Sequence, residues 1–208
     1  MNKIIVCVLS VLVLFGCTKS DIGNEVDNKP KNSVAEKRAL EDNWKEHIYE
    51  KSNSSFSIYL PEEFSAYEDE TPQGSKAYID KKSRARLVLI SFSKKDVLDP
   101  SVYSKSQITE SMILELSFDA QVEVLKEQAE NFKIINEKTG GKTGHKIVRT
   151  LAFSGKVKEG ECCSVVSLIG FEDSEDWLSI IQVCKPKDWH KYEKIFSDMI
   201  DSIELVKK

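Results

Sequence analysis

Cysteine is the residue type in this chain best placed for covalent chemistry, and of five cysteines Cys17 holds the position with the most specific meaning. Asn2 and Lys3 give a short cationic start, Ile4 to Phe15 is apolar apart from Ser10, and Leu14-Phe15-Gly16-Cys17 follows. As a helix, about a dozen residues rise about 18 Å, against a hydrocarbon core of about 30 Å. The run is therefore short for a span. A basic start, a short apolar stretch and a small residue before the cut are the three parts of an export signal. Gly16 is that small residue, so cleavage is expected between Gly16 and Cys17.

These residues resemble the precursors of bacterial lipoproteins, with Leu14 three positions before the cut, Gly16 immediately before it and Cys17 after it. Phe15 departs from the pattern, which more often has Ala, Ser, Thr or Val there. The resemblance implies a signal peptide over 1–16, a diacylglyceryl thioether on Cys17 and acylation of its new amino group with a palmitate-class chain. Each buried methylene contributes roughly 0.8 kcal/mol, so three chains hold where one would exchange. The protein would be a lipid-anchored cell-envelope protein. Thr18 in place of Asp resembles the sorting pattern for an outer membrane, facing the periplasm, where the envelope has two membranes. An ordinary secreted protein that begins at Cys17 is the other reading of the same residues.

Cys7 leaves with the signal, which leaves Cys162, Cys163 and Cys184 in an exported domain, where disulfides persist. Adjacent strand residues point to opposite faces, so one of Cys162 and Cys163 can reach Cys184. A hairpin folded about Asp173 and Ser174 sets Cys163 opposite Cys184, and a disulfide between these two is the pairing expected. A register one residue different would select Cys162. Directly opposed cysteines often make a strained bridge, and reduced thiols buried as small apolar side chains are the other reading.

Catalytic motifs are scarce. Gly140-Gly141-Lys142-Thr143 invites a phosphate-loop reading, but Asn136 stands where that loop needs its first Gly and strands flank the segment. His47, His145 and His190 fall at no ligand spacing, and a zinc set of Cys162, Cys163, Cys184 and His145 is a minor alternative. No Gly-x-Ser-x-Gly is present. The expectation is no enzyme, no cofactor and no metal.

The formal net charge is −4, with acids and bases interspersed along the chain. That argues against nucleic acid, which needs a basic face, and against electrostatic docking on anionic lipid. About 190 residues remain after the signal, enough for one domain and a tether.

The elements follow from pattern. Thr18 to Asn32 is polar, with Ile22 and Val26 the main apolar residues, and reads as a flexible leash. Ser33 and Glu36 form a capping box, and Leu40, Trp44 and Ile48 at four-residue steps predict an amphipathic helix over Val34 to Tyr49. Lipidated Cys17, leash and helix occupy 17–53, with Trp44 either packed on the domain or against headgroups. The folded domain is expected over 54–208.

Within it, Phe56 to Pro61, Ser75 to Asp80 and Arg86 to Ser93 read as strands, the last apolar on both faces and so central. Gln107 to Phe132 reads as helix, with Met112, Ile113, Leu116, Val122, Leu125, Ala129 and Phe132 as its stripe and a break near Ser117-Phe118-Asp119. Lys133 to Glu137, Gly144 to Phe153, Glu161 to Phe171 and Trp177 to Lys185 follow as strands. Asp188 is expected to cap a last helix striped by Trp189, Tyr192, Phe196, Met199 and Ile203.

With Phe56-Ser57-Ile58-Tyr59-Leu60-Pro61 opening the domain and Phe196-Ser197-Asp198-Met199-Ile200-Asp201-Ser202-Ile203 closing it, this order resembles the PsbP fold, shared with a small Ran-binding nuclear protein and the periplasmic DcrB family. The resemblance implies an α+β fold, an antiparallel β-sheet flanked by α-helices, used as a binding or accessory module with no family-wide catalytic residues. The function expected is a lipid-anchored envelope module that docks another protein. Two alternatives are a small-molecule or lipid carrier with a pocket between helix and sheet lined by Trp177 and Trp189, and an envelope immunity or stress protein that neutralises a toxin.

Overall fold

Residues 86–93 read Arg-Leu-Val-Leu-Ile-Ser-Phe-Ser, and because successive strand side chains point to opposite faces, such a run needs cover on both. The computed structural model of the chain supplies it. The structure describes residues 43–50, 54–67, 74–94, 110–143, 145–158 and 160–206. Their elements are β1 (Trp44–Glu50), β2 (Ser55–Pro61), β3 (Phe64–Tyr67), β4 (Ser75–Asp80), β5 (Arg86–Ser93), α1 (Glu110–Gln128), β6 (Glu130–Thr143), β7 (Lys146–Val157), β8 (Gly160–Phe171), β9 (Asp176–Cys184), α2 (Trp189–Asp201) and β10 (Glu204–Val206).

Seven strands form one sheet in the order β3-β4-β5-β9-β8-β7-β6, and β1-β2-β10 form a second. Every pairing is antiparallel. After β5 the chain passes through α1 to the far edge, and the meander β6-β7-β8-β9 returns to lay β9 beside β5. The four-strand meander expected from the turns is present.

Each face of the large sheet carries its own core. On one, Val88, Ile90, Leu151, Phe153, Val166, Leu168, Trp177 and Ile181 meet Leu114, Phe118, Val122 and Leu125 of α1. On the other, Leu87, Leu89, Ile169, Leu178 and Ile180 meet Phe56, Ile58 and Leu60 of β2 and Tyr192, Phe196, Met199 and Ile200 of α2. Alternate residues of β5 thus enter opposite cores. Gly170 admits the Trp177 indole beneath α1, since a Cβ there would lie 3.2 Å from Trp177 Nε1 and 3.4 Å from Leu114 Cδ1.

Several expectations are corrected. Residues 44–49 form strand, not the end of a helix over Val34 to Tyr49, whose earlier part lies outside the described residues. The pairing of β1 with β2, from Trp44↔Pro61 to Glu50↔Ser55, overrides the helix-forming Lys45, Glu46 and Glu50. This strand thereby joins the body expected to start at 54. Helix α1 runs unbroken through Ser117-Phe118-Asp119, because Ser117 and Phe118 face the sheet. Its inner stripe is rotated accordingly, and Met112 and Leu116 are 48% and 54% exposed.

The strand expected over Lys133 to Glu137 extends from Glu130 to Thr143, with three register shifts against β7, the last of them at Gly140 and Gly141. Asp188 stands before α2 in helical conformation and makes no side-chain capping bond. The short β3 and β10 were not foreseen.

The two-core layering sets a mutational contrast. Leu89→Ala, fully buried, should cost about 3 kcal/mol, whereas Leu116→Ala, at a half-exposed position, should stay within about 0.5 kcal/mol. Urea unfolding of the two variants checks this.

Candidate functional site

Gly16 and Cys17, the expected cleavage and lipidation residues, lie outside the described residues. The register of β8 with β9 sets Cys163 opposite Cys184, as the hairpin about Asp173 and Ser174 requires. They face each other as buried thiols and not as the expected disulfide. Direct opposition in an antiparallel ladder is a strained place for a bridge. Cys162 enters the α1 core while Cys163 and Cys184 share the α2 core, in keeping with strand alternation. Burial first, then the neighbouring Cys163, Asp188 and Cys162, push the Cys184 thiol up to about 12, and burial raises that of Cys163. Such thiols are poor nucleophiles.

The other candidates disperse. His145 sits at the opposite end of the large sheet, its Nδ1 3.1 Å from Glu172 Oε2, so a zinc set with the three cysteines does not assemble. Among the described residues no group of His, Cys, Asp and Glu could hold a metal ion. Trp177 belongs to the α1 core and Trp189 packs against the α2 core, so the large sheet separates the two residues proposed to line one pocket. Among the described residues no helix is long and apolar enough to cross a membrane.

What folding does assemble is a polar cluster that sequence reading missed, where the first turn of α2 meets the β4–β5 turn. Asp80 is buried and accepts from the Tyr192 hydroxyl, from Ser83 Oγ at 2.8 Å and from the N–H groups of Lys82 and Ser83 at 2.8 and 3.3 Å. Ser83 Oγ lies 2.7 Å from the Tyr192 oxygen, to which Lys191 Nζ donates at 3.2 Å. Lys191 also lies 3.8 Å from Glu63 and 4.0 Å from Asp80. Arg84 takes φ 68°, which lets the turn curl back so that its N–H reaches Asp80 O at 2.8 Å.

Burial alone would raise the Asp80 carboxyl, but the Tyr192, Ser83 and backbone donors outweigh it and hold the pKa below its ordinary value. Tyr192 is raised, first by burial and then by its bond to Asp80, and so stays protonated. Burial would lower Lys191, yet the Tyr192 bond and the charges of Asp80 and Glu63 leave it raised. A protonated phenol on an ionised carboxylate is an anchor and not an activated nucleophile.

Two further side chains seat the same helix. Gln182 Nε2 donates to Phe196 O at 3.1 Å, and Lys146 Nζ donates to the carbonyls of Ile200, Asp201 and Ile203 at 2.8, 3.3 and 3.1 Å. A cation on the last carbonyls of a helix also opposes its dipole.

This is an α+β body of the PsbP and Mog1 fold class, with antiparallel sheets and two helices among the described residues. It is similar to the cyanobacterial PsbP (CyanoP) of Synechocystis sp. PCC 6803, at 11% identity over 87% of this chain and 99% of that one, with a TM-score of 0.55. It is also similar to the Ran-binding protein Mog1p of Saccharomyces cerevisiae, at 15% identity, 78% and 95% coverage and TM-score 0.53. LpqN of Mycobacterium tuberculosis, a protein involved in cell envelope biogenesis, matches at 8% identity, 86% and 100% coverage and TM-score 0.55. Identities this low establish fold alone. No family model and no curated protein matches the chain.

The cluster and the thiols each set a test. With its folded pKa depressed, Asp80 contributes stability that is whole above its ordinary value of about 3.9 and is lost as pH falls through the lower folded value. The stability gap between wild type and Asp80→Asn, from urea unfolding, should therefore be widest above about pH 5 and shrink in stronger acid. Iodoacetamide at mildly alkaline pH should leave Cys163 and Cys184 unlabelled in the folded protein and alkylate both in urea. Peptide mass mapping reads the difference.

Proposed function

We propose that this protein is a non-enzymatic, lipid-anchored cell-envelope module whose folded body docks another protein. The observation that carries this reading is Leu14-Phe15-Gly16-Cys17 behind a short apolar run, with a signal cut before Cys17 and acyl chains on it. The body supports it in a second way. Both faces of its large sheet are filled by side chains, and its best-organised polar cluster is consumed in holding α2. On this reading the outer surface is the working part.

Similarity of fold to a Ran-binding protein and to an envelope-biogenesis protein favours a binding role in the envelope, though fold analogy does not name a partner. Where the envelope has two membranes, Thr18 favours the outer one.

The test is mass spectrometry of the mature N-terminal peptide. Wild type should give an acylated peptide beginning at Cys17 and a membrane-bound protein, and Cys17→Ser should give neither. An unacylated wild-type protein in the soluble fraction would overturn the anchor. Crosslinked envelopes that repeatedly yield no protein bound to the body would overturn the docking role.

A further inference from the structure

Charges dispersed along the sequence are gathered by the fold. The β4–β5 turn and the segment leading into α2 are about 100 residues apart, yet the Asp80, Ser83 and Tyr192 bonds bring them together at one end of the body. Lys81, Lys82 and Arg84 are exposed on the turn, and Lys185, Lys187 and Lys191 are exposed beside it. Of these six cations only Lys191 lies within salt-bridge distance of a carboxylate among the described residues.

Most acids around the six cations are engaged or withdrawn, with Glu193 of α2 and Glu161 of β8 exposed among them. Glu62 is 2.8 Å from Lys45, Glu63 faces Lys191, Asp80 is buried in its cluster and Asp188 is half-buried. Glu172, Asp173 and Glu175 are exposed at the opposite end, where β8 turns into β9, and Glu172 meets His145 there.

The path of the chain adds a second, independent observation. Asn43 O accepts from Glu62 N–H at 2.7 Å, and Trp44 lies opposite Pro61. Glu62 and Glu63 adjoin Phe64, which is paired with Asp80. The chain that leads back from Asn43 toward Cys17 therefore departs from the same end that carries the unpaired cations. About 26 residues separate Cys17 from Asn43, a reach of at most about 90 Å. Two half-buried tryptophans, Trp44 and Trp189, complete this end. Indole rings partly covered by protein and partly open are suited to the level of lipid headgroups.

We infer that this end of the body is a membrane-facing surface that binds anionic phospholipid headgroups. The inference rests on the anchored reading above for its orientation, with the Glu172 to Glu175 end turned away from the bilayer and presented to a partner. Lysines near an anionic leaflet are attracted over about a Debye length, so the surface acts after the anchor has brought it close and fixes which way the body faces.

The test uses the mature chain from residue 17 with Cys17→Ser, so that no acyl chain contributes. Sedimentation is measured with vesicles of phosphatidylcholine alone and with about one third phosphatidylglycerol, at low and high salt. Binding is expected only to the phosphatidylglycerol vesicles. It should fall at least several-fold in high salt and in Lys82→Glu/Lys187→Glu, while Lys76→Glu, at the far end of β4, binds as the parent does. Circular dichroism establishes that each variant is folded.

Absence of binding to the anionic vesicles, or equal binding by the double variant, would overturn the inference. So would loss of the double variant's binding to immobilised polyglutamate with its vesicle binding unchanged, since that result would give the surface to an acidic protein. Acylation of Cys17 is read separately from the N-terminal peptide, so failure of the anchor and failure of this surface are distinguishable.

Discussion

The seven-stranded sheet is apolar on both faces, and the rest of the architecture answers that constraint. Leu87 and Leu89 point one way from β5 while Val88 and Ile90 point the other, and β8 and β9 repeat the pattern. A sheet so built cannot leave either side to water, because each large side chain exposed would forfeit roughly 1.5–3 kcal/mol. One helix covers β6, β7 and β8, and the other joins the small sheet to cover the opposite face. The bonds that hold α2, from Asp80 and Ser83 at its start, Gln182 beneath it and Lys146 at its end, follow from the need to keep that second cover in place.

Much of this was legible because burial leaves a period in the sequence. The alternation and doubled apolarity of β5, the hairpin centre that sets Cys163 opposite Cys184, and the stripe of α2 were all readable. Where the reading failed, tertiary contact overrode local preference. Residues 44–50 carry helix-forming charges but serve as an edge strand, a place where charged side chains are tolerated and useful. In α1, an Asp after Ser-Phe looked like a new cap, yet a helix lying on a flat apolar face has no reason to stop there. Strands of three and four residues, such as β10 and β3, are too short to show a period.

The polar cluster was illegible for a different reason. Asp80, Ser83, Lys191 and Tyr192 are ordinary residues in two distant segments, and no spacing rule links a turn to a helix that follows five further strands and another helix. A buried carboxylate becomes visible only when its donors are in place. The same holds for the cations gathered at that end. A chain with interspersed charges can fold into a body with unlike ends, so charge patterning along a sequence constrains surfaces weakly when the sheet is wound non-sequentially.

The small sheet has a temporal consequence. Its middle strand, β2, holds β1 on one side and β10 on the other, so the opening and closing strands of the body share one neighbour. Until the ribosome has released Glu204 to Val206, one edge of β2 has no neighbour and the cover over Phe56 lacks its final strand. A sheet that needs Glu204 to Val206 cannot close over Phe56 until those residues have been made.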